Sequence, residues 1–123
     1  MVQILVIDDE EPIRKLLARI IELEGYKVST ASCCNDALQQ LRKQQYDVIL
    51  CDVFLPDGNG VDFIFEIKKY SSDAAIILLT AHGNIEDGVQ AIKNGAFDYI
   101  TKGDDNRKII PTINRAVDET EKK

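Results

Sequence analysis

Residues 48–58 read VILCDVFLPDG, and this stretch decides how the chain folds. Four consecutive apolar residues end in one acid, Asp52, and a proline and a glycine follow. A short continuous apolar run is typical of a strand that is covered on both faces, as in a parallel sheet. A carboxylate beside such a strand lies close to the core, where a charge without a partner is unusual. The stretch therefore predicts a buried strand with reactive chemistry at its carboxyl end.

Four further segments predict strands. Apolar runs at residues 4–7 and 76–79 match the first pattern, and residues 27–31 and 98–101 are rich in Val, Thr, Tyr and Ile. Helix-length stretches separate all of these strands. Alternation of strand and helix predicts right-handed crossovers onto a parallel sheet. We therefore expect a doubly wound α/β domain, with five parallel strands and five helices on both faces.

Each predicted helix carries an apolar stripe that we expect to pack on the sheet. The clearest helix has Pro12 in its first turn and Gly25 as its terminator, and the fourth ends before Gly95. The fifth starts near Arg107, which puts Pro111 in its first turn. The stripes, in chain order, are Ile13, Leu16, Leu17, Ile20 and Ile21; Ala37, Leu38 and Leu41; Val61, Ile64, Phe65 and Ile67; Ile85, Val89 and Ile92; and Ile109, Ile110, Ile113 and Val117.

Length and composition indicate one globular domain over residues 1–123, with 45% hydrophobic and 29% charged residues. No apolar run approaches the ~20 residues of a membrane span, so a cytoplasmic location is expected. The formal charge of −6 disfavours direct binding to nucleic acid. Three cysteines without C-x-x-C spacing indicate reduced thiols, and Cys51 is expected to be a small buried apolar residue.

Polar or charged residues directly follow four of the five predicted strands. Asp8 and Asp9 follow the first strand, Asp52 the third, Thr80 the fourth and Lys102 the fifth. Each has an ordinary structural explanation, since acids and threonine favour helix starts and lysine is usually solvated. In an open parallel sheet, however, ligands bind beyond the carboxyl ends of the strands. The conjunction therefore predicts a functional site at this edge.

Three carboxylates at this edge would repel one another unless a cation relieved the repulsion. Oxygen ligands suit Mg²⁺ better than zinc, for which Cys and His would be expected. A carboxylate such as Asp52 can attack phosphorus to form an aspartyl phosphate. Mg²⁺ and Lys102 would supply positive charge, and the Thr80 hydroxyl could donate to a phosphoryl oxygen.

Four separated motifs resemble the receiver domain of bacterial two-component response regulators, the CheY-like family. They are VIDDE at residues 6–10, DVFLPDG at 52–58, LTA at 79–81 and DYITK at 98–102. The resemblance covers essentially the whole chain. It implies a flavodoxin-like fold with strand order 2-1-3-4-5 and a phosphoacceptor switch, not an enzyme that turns over a substrate.

The resemblance also implies a role for each matching residue. Asp52 is the phosphoacceptor and Lys102 contacts the phosphoryl group. Mg²⁺ is expected to bind directly to Asp9, Asp52 and the backbone carbonyl of Phe54. Asp8 is expected to contact the ion through a water molecule. Thr80 and Tyr99 form a switch pair. The implied output surface is the fourth helix, fifth strand and fifth helix, and a phosphorylation-dependent dimer through it is a further expectation.

Residues 83–91 and 95–99 look most like receivers of NtrC-type transcription activators. The implied partners are a sensor histidine kinase or phosphotransfer protein and an effector domain that is C-terminal in the full-length protein and transcriptional in its action. Whether the chain is a separate signalling protein or part of a longer regulator stays open.

Three residues qualify the resemblance. Lys102 precedes Gly103 where the family has a proline that typically takes a cis peptide bond, so we expect a trans bond here. Phe54 occupies a position at which a polar side chain could guide water to the phosphoryl group, and His82 flanks the same opening. We expect Phe54 to slow hydrolysis more than His82 promotes it, and His82 is otherwise expected to be a solvated loop residue.

Other functions fit less well. A flavodoxin-like cofactor protein needs a phosphate-binding loop rich in glycine and hydroxyl groups after the first strand, where this chain has four acids. The P-loop motif is absent from the sequence. A pseudo-receiver, which keeps the fold for protein interaction without phosphotransfer, is the remaining alternative.

Overall fold

The computed structural model describes residues 2–81, 85–101 and 106–121. The five strands of its main sheet are β1 Gln3–Ile7, β2 Lys27–Ala31, β3 Val48–Asp52, β4 Ala75–Thr80 and β5 Asp98–Thr101. The helices are α1 Glu11–Leu23, α2 Cys34–Lys43, α3 Gly60–Tyr70, α4 Ile85–Asn94 and α5 Ile109–Glu121. A 3₁₀ turn, Asn106–Lys108, precedes α5, and a small antiparallel hairpin pairs Phe54–Leu55 with Gly58–Asn59.

The main sheet is parallel throughout, in the order β2-β1-β3-β4-β5. On β1, for example, Ile4 pairs with Val28 of β2 on one side and with Val48 of β3 on the other. Strand order and helix count therefore confirm the predicted doubly wound, flavodoxin-like α/β fold. No helix in the described parts of the chain is long and apolar enough to cross a membrane.

Two apolar layers cover the two faces of the sheet, because successive strand side chains point to opposite faces. Leu5, Ile49 and Leu78 pack with residues of α2, α3 and α4. Ile4, Leu50 and Ile77 pack with residues of α1 and α5. Burial on both faces explains why these strands read as continuous apolar runs.

The ends of the elements follow the predicted signals closely. Gly25 and Gly95 adopt φ of +93° and +110° after α1 and α4, where residues with a Cβ are disfavoured. Pro111 lies in the first turn of α5, as predicted. Asp52 and Thr80 are the last residues of their strands. The small hairpin after β3 was not predicted.

Burial of the helical stripes was predicted wrongly at five positions. The side chains of Leu16, Phe65, Ile85, Val89 and Ile92 are all about half exposed or more. The fourth helix departs most, because Ala91 is its one buried residue. It contacts β5 and α3 through small residues, so its larger apolar side chains point away from the core. The helical spacing of apolar residues alone does not show whether the face that carries them is buried or exposed.

Candidate metal centre

Four acids meet at the carboxyl edge of the sheet. Oxygen atoms from the carboxylates of Asp8, Asp9, Glu10 and Asp52 all lie within 4.8 Å of one another. Asp8 is fully buried and Asp52 is 5% exposed, whereas Asp9 and Glu10 are exposed. The cluster therefore has a buried inner side and an outer side open to solvent. The structure brings together the three acids that the sequence predicted and adds Glu10.

The turn after β1 is held by three hydrogen bonds around Asp8. Its backbone N–H donates to the carbonyl of Ala31 at 3.0 Å, which joins the ends of β1 and β2. Its carboxylate accepts from the N–H of Glu10 at 2.9 Å, and its carbonyl accepts from Arg14 Nη1 at 2.8 Å. A side chain that accepts from the backbone two residues later is the usual way an aspartate tightens a turn. This turn directs the neighbouring acids to one place.

The segment after β3 is fixed by close backbone packing. The N–H of Val53 donates to the Leu79 carbonyl at 2.9 Å, and the N–H of Gly60 donates to the Val53 carbonyl at 2.7 Å. A Cβ added to Gly60 would lie only 2.3 Å from the carbonyl oxygen of Asp52. Only glycine fits there, so the start of α3 closes tightly over the end of β3. Phe54 lies in between, with 60% of its side chain exposed.

The chemistry of the cluster suits a hard divalent cation. Its ligand atoms are carboxylate oxygens, which Mg²⁺ prefers, and several anionic groups at this distance repel one another without a cation. The neighbouring thiol of Cys51 donates to the backbone carbonyl of Asp52 at 3.4 Å. Burial raises the pKa of this thiol well above its ordinary value, so it remains protonated. Cys51 is thus a small buried residue, as predicted, and the residues of the cluster fit Mg²⁺.

Thr80 and Tyr99 share one face of the sheet beside the cluster. Thr80 is fully buried at the end of β4. Tyr99 pairs with Leu78, two residues earlier on the same strand, and therefore points to the same face as Thr80. A Cβ added to Gly88 of α4 would lie 3.3 Å from the Tyr99 ring. The Tyr99 hydroxyl is buried and has no hydrogen-bond partner among the described residues.

An apolar groove lies on the outside of the same region. It runs between α4 and β5 and has a volume of about 680 Å³. Ile85, Val89 and Ile92 line it with 86%, 49% and 51% of their side chains exposed, and Tyr99 is also among the lining residues. These three side chains of one helix therefore line one groove together and are not scattered single residues.

Lys102 and His82 lie outside the described residues, as does the peptide bond between Lys102 and Gly103. Their predicted roles and the trans geometry of that bond therefore stay predictions.

Comparison with known proteins bears directly on this geometry. A family model of the response regulator receiver domain matches residues 4–114. The phosphate regulon transcriptional regulatory protein PhoB of Escherichia coli (strain K12) is 37% identical over 113 residues, which cover 90% of this chain and 49% of PhoB. The transcriptional regulatory protein ZraR of the same organism is 33% identical over 119 residues, which cover 97% of this chain and 27% of ZraR.

Three solved structures share the fold. The beryllofluoride-activated NtrC4 receiver domain dimer has a TM-score of 0.91 and 39% identity, with 98% of this chain and 99% of that chain covered. A Burkholderia pseudomallei response regulator with a phosphorylated aspartic acid and a calcium ion has a TM-score of 0.86 and 30% identity. The match covers 98% of this chain and 71% of that chain. Thermotoga maritima TrrA in complex with Mg²⁺-BeF has a TM-score of 0.83 and 32% identity. The match covers 94% of this chain and 99% of that chain.

The chain spans about half the length of PhoB and about a quarter of the length of ZraR. Its fold, its edge cluster of acids and the family match over residues 4–114 agree with one another. The chain belongs to the response regulator receiver domain family of two-component signalling systems.

Proposed function

We propose that Asp52 accepts a phosphoryl group from a sensor histidine kinase or phosphotransfer protein in a Mg²⁺-dependent reaction, and that residues 1–123 form one such domain. The observation that carries this proposal is the cluster of carboxylates within 4.8 Å at the sheet edge, in which Asp52 is 5% exposed. The phosphorylated aspartic acid of the Burkholderia pseudomallei relative supports it.

The reaction forms one bond and breaks one. A carboxylate oxygen of Asp52 attacks phosphorus, and the bond between phosphorus and the donor atom breaks. For a phosphohistidine donor, the imidazole nitrogen leaves with the electron pair and takes up a proton when it is released. Little further covalent chemistry is required, so the chain contributes mainly position and electrostatic stabilisation. It therefore acts as a switch that catalyses only its own phosphotransfer and dephosphorylation.

The ligands proposed for Mg²⁺ are Asp9, Asp52 and the backbone carbonyl of Phe54, with Asp8 acting through water. When bound, Mg²⁺ supplies positive charge that offsets the repulsion between these acids and an anionic phosphoryl group. The Mg²⁺-BeF complex of the Thermotoga maritima relative supports this choice of metal. Lys102 is proposed to contact the phosphoryl oxygens from the end of β5.

Thr80 and Tyr99 are proposed to transmit the change. Phosphorylation would draw the Thr80 hydroxyl toward the phosphoryl group and let Tyr99 turn inward behind it, which shifts a pre-existing equilibrium between two states. The Tyr99 hydroxyl is already buried, and among the described residues it has no hydrogen-bond partner, so its present position leaves a polar group unsatisfied. A buried hydroxyl without a hydrogen bond carries a free-energy cost, which a conformation that provides a partner would remove.

The proposed output surface is α4, β5 and α5. Exposed apolar side chains of α4 face this surface, and Arg115 of α5 pairs with Asp98 of β5 at 3.2 Å. A second copy of the chain would bury the apolar side chains in a symmetric interface. The dimer of the NtrC4 receiver supports this occupant. The full-length protein is proposed to carry a C-terminal effector that regulates transcription, as the names of PhoB and ZraR suggest.

The metal site is tested by Asp9→Asn. Without divalent ions this variant should be at least as stable as the parent, because it removes one of several neighbouring charges. Mg²⁺ at ten times the parent's Kd should raise the parent's free energy of unfolding by about 1.4 kcal/mol, and that of the variant by clearly less. Urea unfolding measures both. The control is Glu11→Gln, which removes a carboxylate that pairs with Lys15 at 2.7 Å outside the cluster. Equal stabilisation of the parent and Asp9→Asn by Mg²⁺ would contradict the metal assignment.

Phosphorylation is tested by intact mass after incubation with acetyl phosphate and Mg²⁺. The parent should gain one phosphoryl group, and Asp52→Asn should gain none, because an amide is not a nucleophile of this kind. Chelating Mg²⁺ should abolish the parent's gain, and Asp73→Asn, which alters an exposed acid in a turn, should behave as the parent. A parent that gains no mass would instead indicate an interaction module without phosphotransfer.

The output surface is tested by sedimentation with and without beryllofluoride. The parent should dimerise in its presence, and Val89→Glu should weaken that dimer at least about tenfold, because it buries an unpaired charge in the interface. Leu23→Glu is the matched control, since Leu23 is 76% exposed on α1. If both variants dimerise as the parent does, the interface lies elsewhere. A parent that stays monomeric would refute the dimer itself.

Slow self-dephosphorylation is the last expectation. The Phe54 ring offers no hydrogen bond to an attacking water and would occlude its approach. Phe54→Asn should accelerate loss of the phosphoryl group severalfold, and His82→Ala should change the rate less, because an imidazole helps only when it is neutral and well aligned. The decay is followed by mass at saturating Mg²⁺. A Phe54→Asn protein that decays at the parent's rate or more slowly would refute this role for the ring.

A further inference from the structure

Asp57 makes two hydrogen bonds across the molecule to the start of α2. The backbone N–H of Cys34 donates to Oδ1 at 2.8 Å, and that of Asn35 donates to Oδ2 at 3.0 Å. Both oxygens of one carboxylate therefore engage the first turn of a helix that lies more than 20 residues earlier in the chain. These hydrogen bonds hold the pKa of Asp57 below its usual value, so the group is a carboxylate at neutral pH.

The second helix depends on this distant carboxylate because its own N-cap is weak. The N-cap residue is Cys33, whose Sγ accepts from the N–H of Asp36 at 3.5 Å. Ser, Thr, Asp and Asn are the residues that usually cap a helix, because an oxygen accepts more strongly than a thiol sulfur. Asp57 supplies an anionic oxygen acceptor to the N–H groups of Cys34 and Asn35, whereas the carboxylate of Asp36 in the same turn accepts from Ser32.

Asp57 also stands at the tip of the hairpin that follows Asp52. The hairpin pairs Leu55 with Gly58 and, one step closer to its base, Phe54 with Asn59. A Cβ added to Gly58 would lie 3.1 Å from Sγ of Cys34, so the tip packs directly against α2. At the base, the Asn59 side chain accepts from the N–H of Val61 at 2.8 Å and caps α3. The hairpin is thus anchored at both ends by side-chain caps.

Hydrogen bonds at both ends of the short chain segment 31–35 connect this anchor to the other half of the acidic cluster. The second helix begins three residues after Ala31, the end of β2. The carbonyl of Ala31 accepts from the N–H of Asp8. The loop that carries Phe54 and the turn that carries Asp8 are consequently tied together on the α2 side through Asp57.

We propose that Asp57 is a positioning residue for the metal centre, in that it ties the hairpin after Asp52 to α2 and so fixes the Phe54 backbone relative to the acids of β1. This inference rests on the proposed function of the cluster. Coordination geometry is sensitive to shifts well below 1 Å, and Mg²⁺ tolerates little deviation from its preferred arrangement. Release of the hairpin would therefore weaken Mg²⁺ binding before it disturbs the fold.

The experiment compares Asp57→Asn with Asp62→Asn. An asparagine can accept one of the two N–H groups but presents its own NH₂ to the other, so one hydrogen bond and the charge are lost. Asp62 is an exposed acid in the first turn of α3, and its replacement makes the same change of charge nearby. Mg²⁺ affinity is measured by calorimetry, and phosphorylation by acetyl phosphate is measured as a function of Mg²⁺ concentration.

Asp57→Asn should weaken Mg²⁺ binding at least about threefold and raise the Mg²⁺ concentration for half-maximal phosphorylation by the same factor. Asp62→Asn should change the Mg²⁺ affinity and the Mg²⁺ concentration for half-maximal phosphorylation by less than half as much. Urea unfolding distinguishes a role in positioning the metal centre from a role in capping α2 alone. If Asp57→Asn is less stable than the parent yet binds Mg²⁺ as tightly as Asp62→Asn does, the proposal is overturned. If the parent binds Mg²⁺ but is never phosphorylated, the proposed function fails, and the calorimetric comparison still decides the role of Asp57.

Acidification gives a second signature. Because the pKa of Asp57 is lower in the folded state than in the unfolded state, its contribution to stability is present above the ordinary pKa of about 4. It disappears as the pH falls through the folded value. The stability difference between the parent and Asp57→Asn should therefore shrink on acidification. A difference that is constant with pH would contradict the role assigned to the carboxylate.

A measurement on the unaltered protein covers the case in which Asp57→Asn does not fold. In NMR spectra, Mg²⁺ should shift the amide resonances of Cys34 and Asn35, which touch Asp57, more than those at the carboxyl end of α2. Amides of Cys34 and Asn35 that do not respond to saturating Mg²⁺ would overturn the proposal.

Discussion

The repulsion among acids at one edge of the sheet is the constraint on which the rest of this structure depends. Asp8 and Asp52 are both buried, and their carboxylates approach within 4.8 Å. Carboxylates at such a distance repel one another unless a cation or a hydrogen-bond donor compensates their charge. The repulsion persists because the acids stand on adjacent strands, whose continuous apolar sequences are buried on both faces. A rigid core thus holds together groups that would separate in solution.

Small residues place the loops around this cluster. Gly60 lets α3 begin directly against the carbonyl of Asp52, and Gly88 lets α4 lie against the ring of Tyr99. A Cβ at Gly60 would clash with the backbone at 2.3 Å, whereas a Cβ at Gly88 would make a tight contact with the ring at 3.3 Å. The first contact fixes the end of β3, and the second brings α4 close to β5.

The fourth helix buries fewer residues than any other described helix. It buries one residue, Ala91, and carries an interior glycine that costs about 1 kcal/mol relative to alanine. Elements with few buried apolar contacts open or shift at lower free energy than the core does. The fourth helix packs on β5, which pairs with β4, so a single strand separates α4 from Thr80. This arrangement suits a switch, in which the core stays fixed and one surface changes.

The sequence by itself determined the fold class, the boundaries of most elements and three of the four acids of the cluster. Each of these follows from short-range patterns, namely apolar runs such as residues 48–51, terminators such as Gly25, and acids placed directly after strands. Only the tertiary structure decided which apolar stripes are buried, because Val89 and Ile92 have a core-like period but lie on a helix that contacts the sheet through small residues. It likewise decided the place of Glu10 in the cluster and the link from Asp57 to α2. Contacts between residues far apart in the chain depend on how the elements pack, and local sequence patterns do not encode that packing.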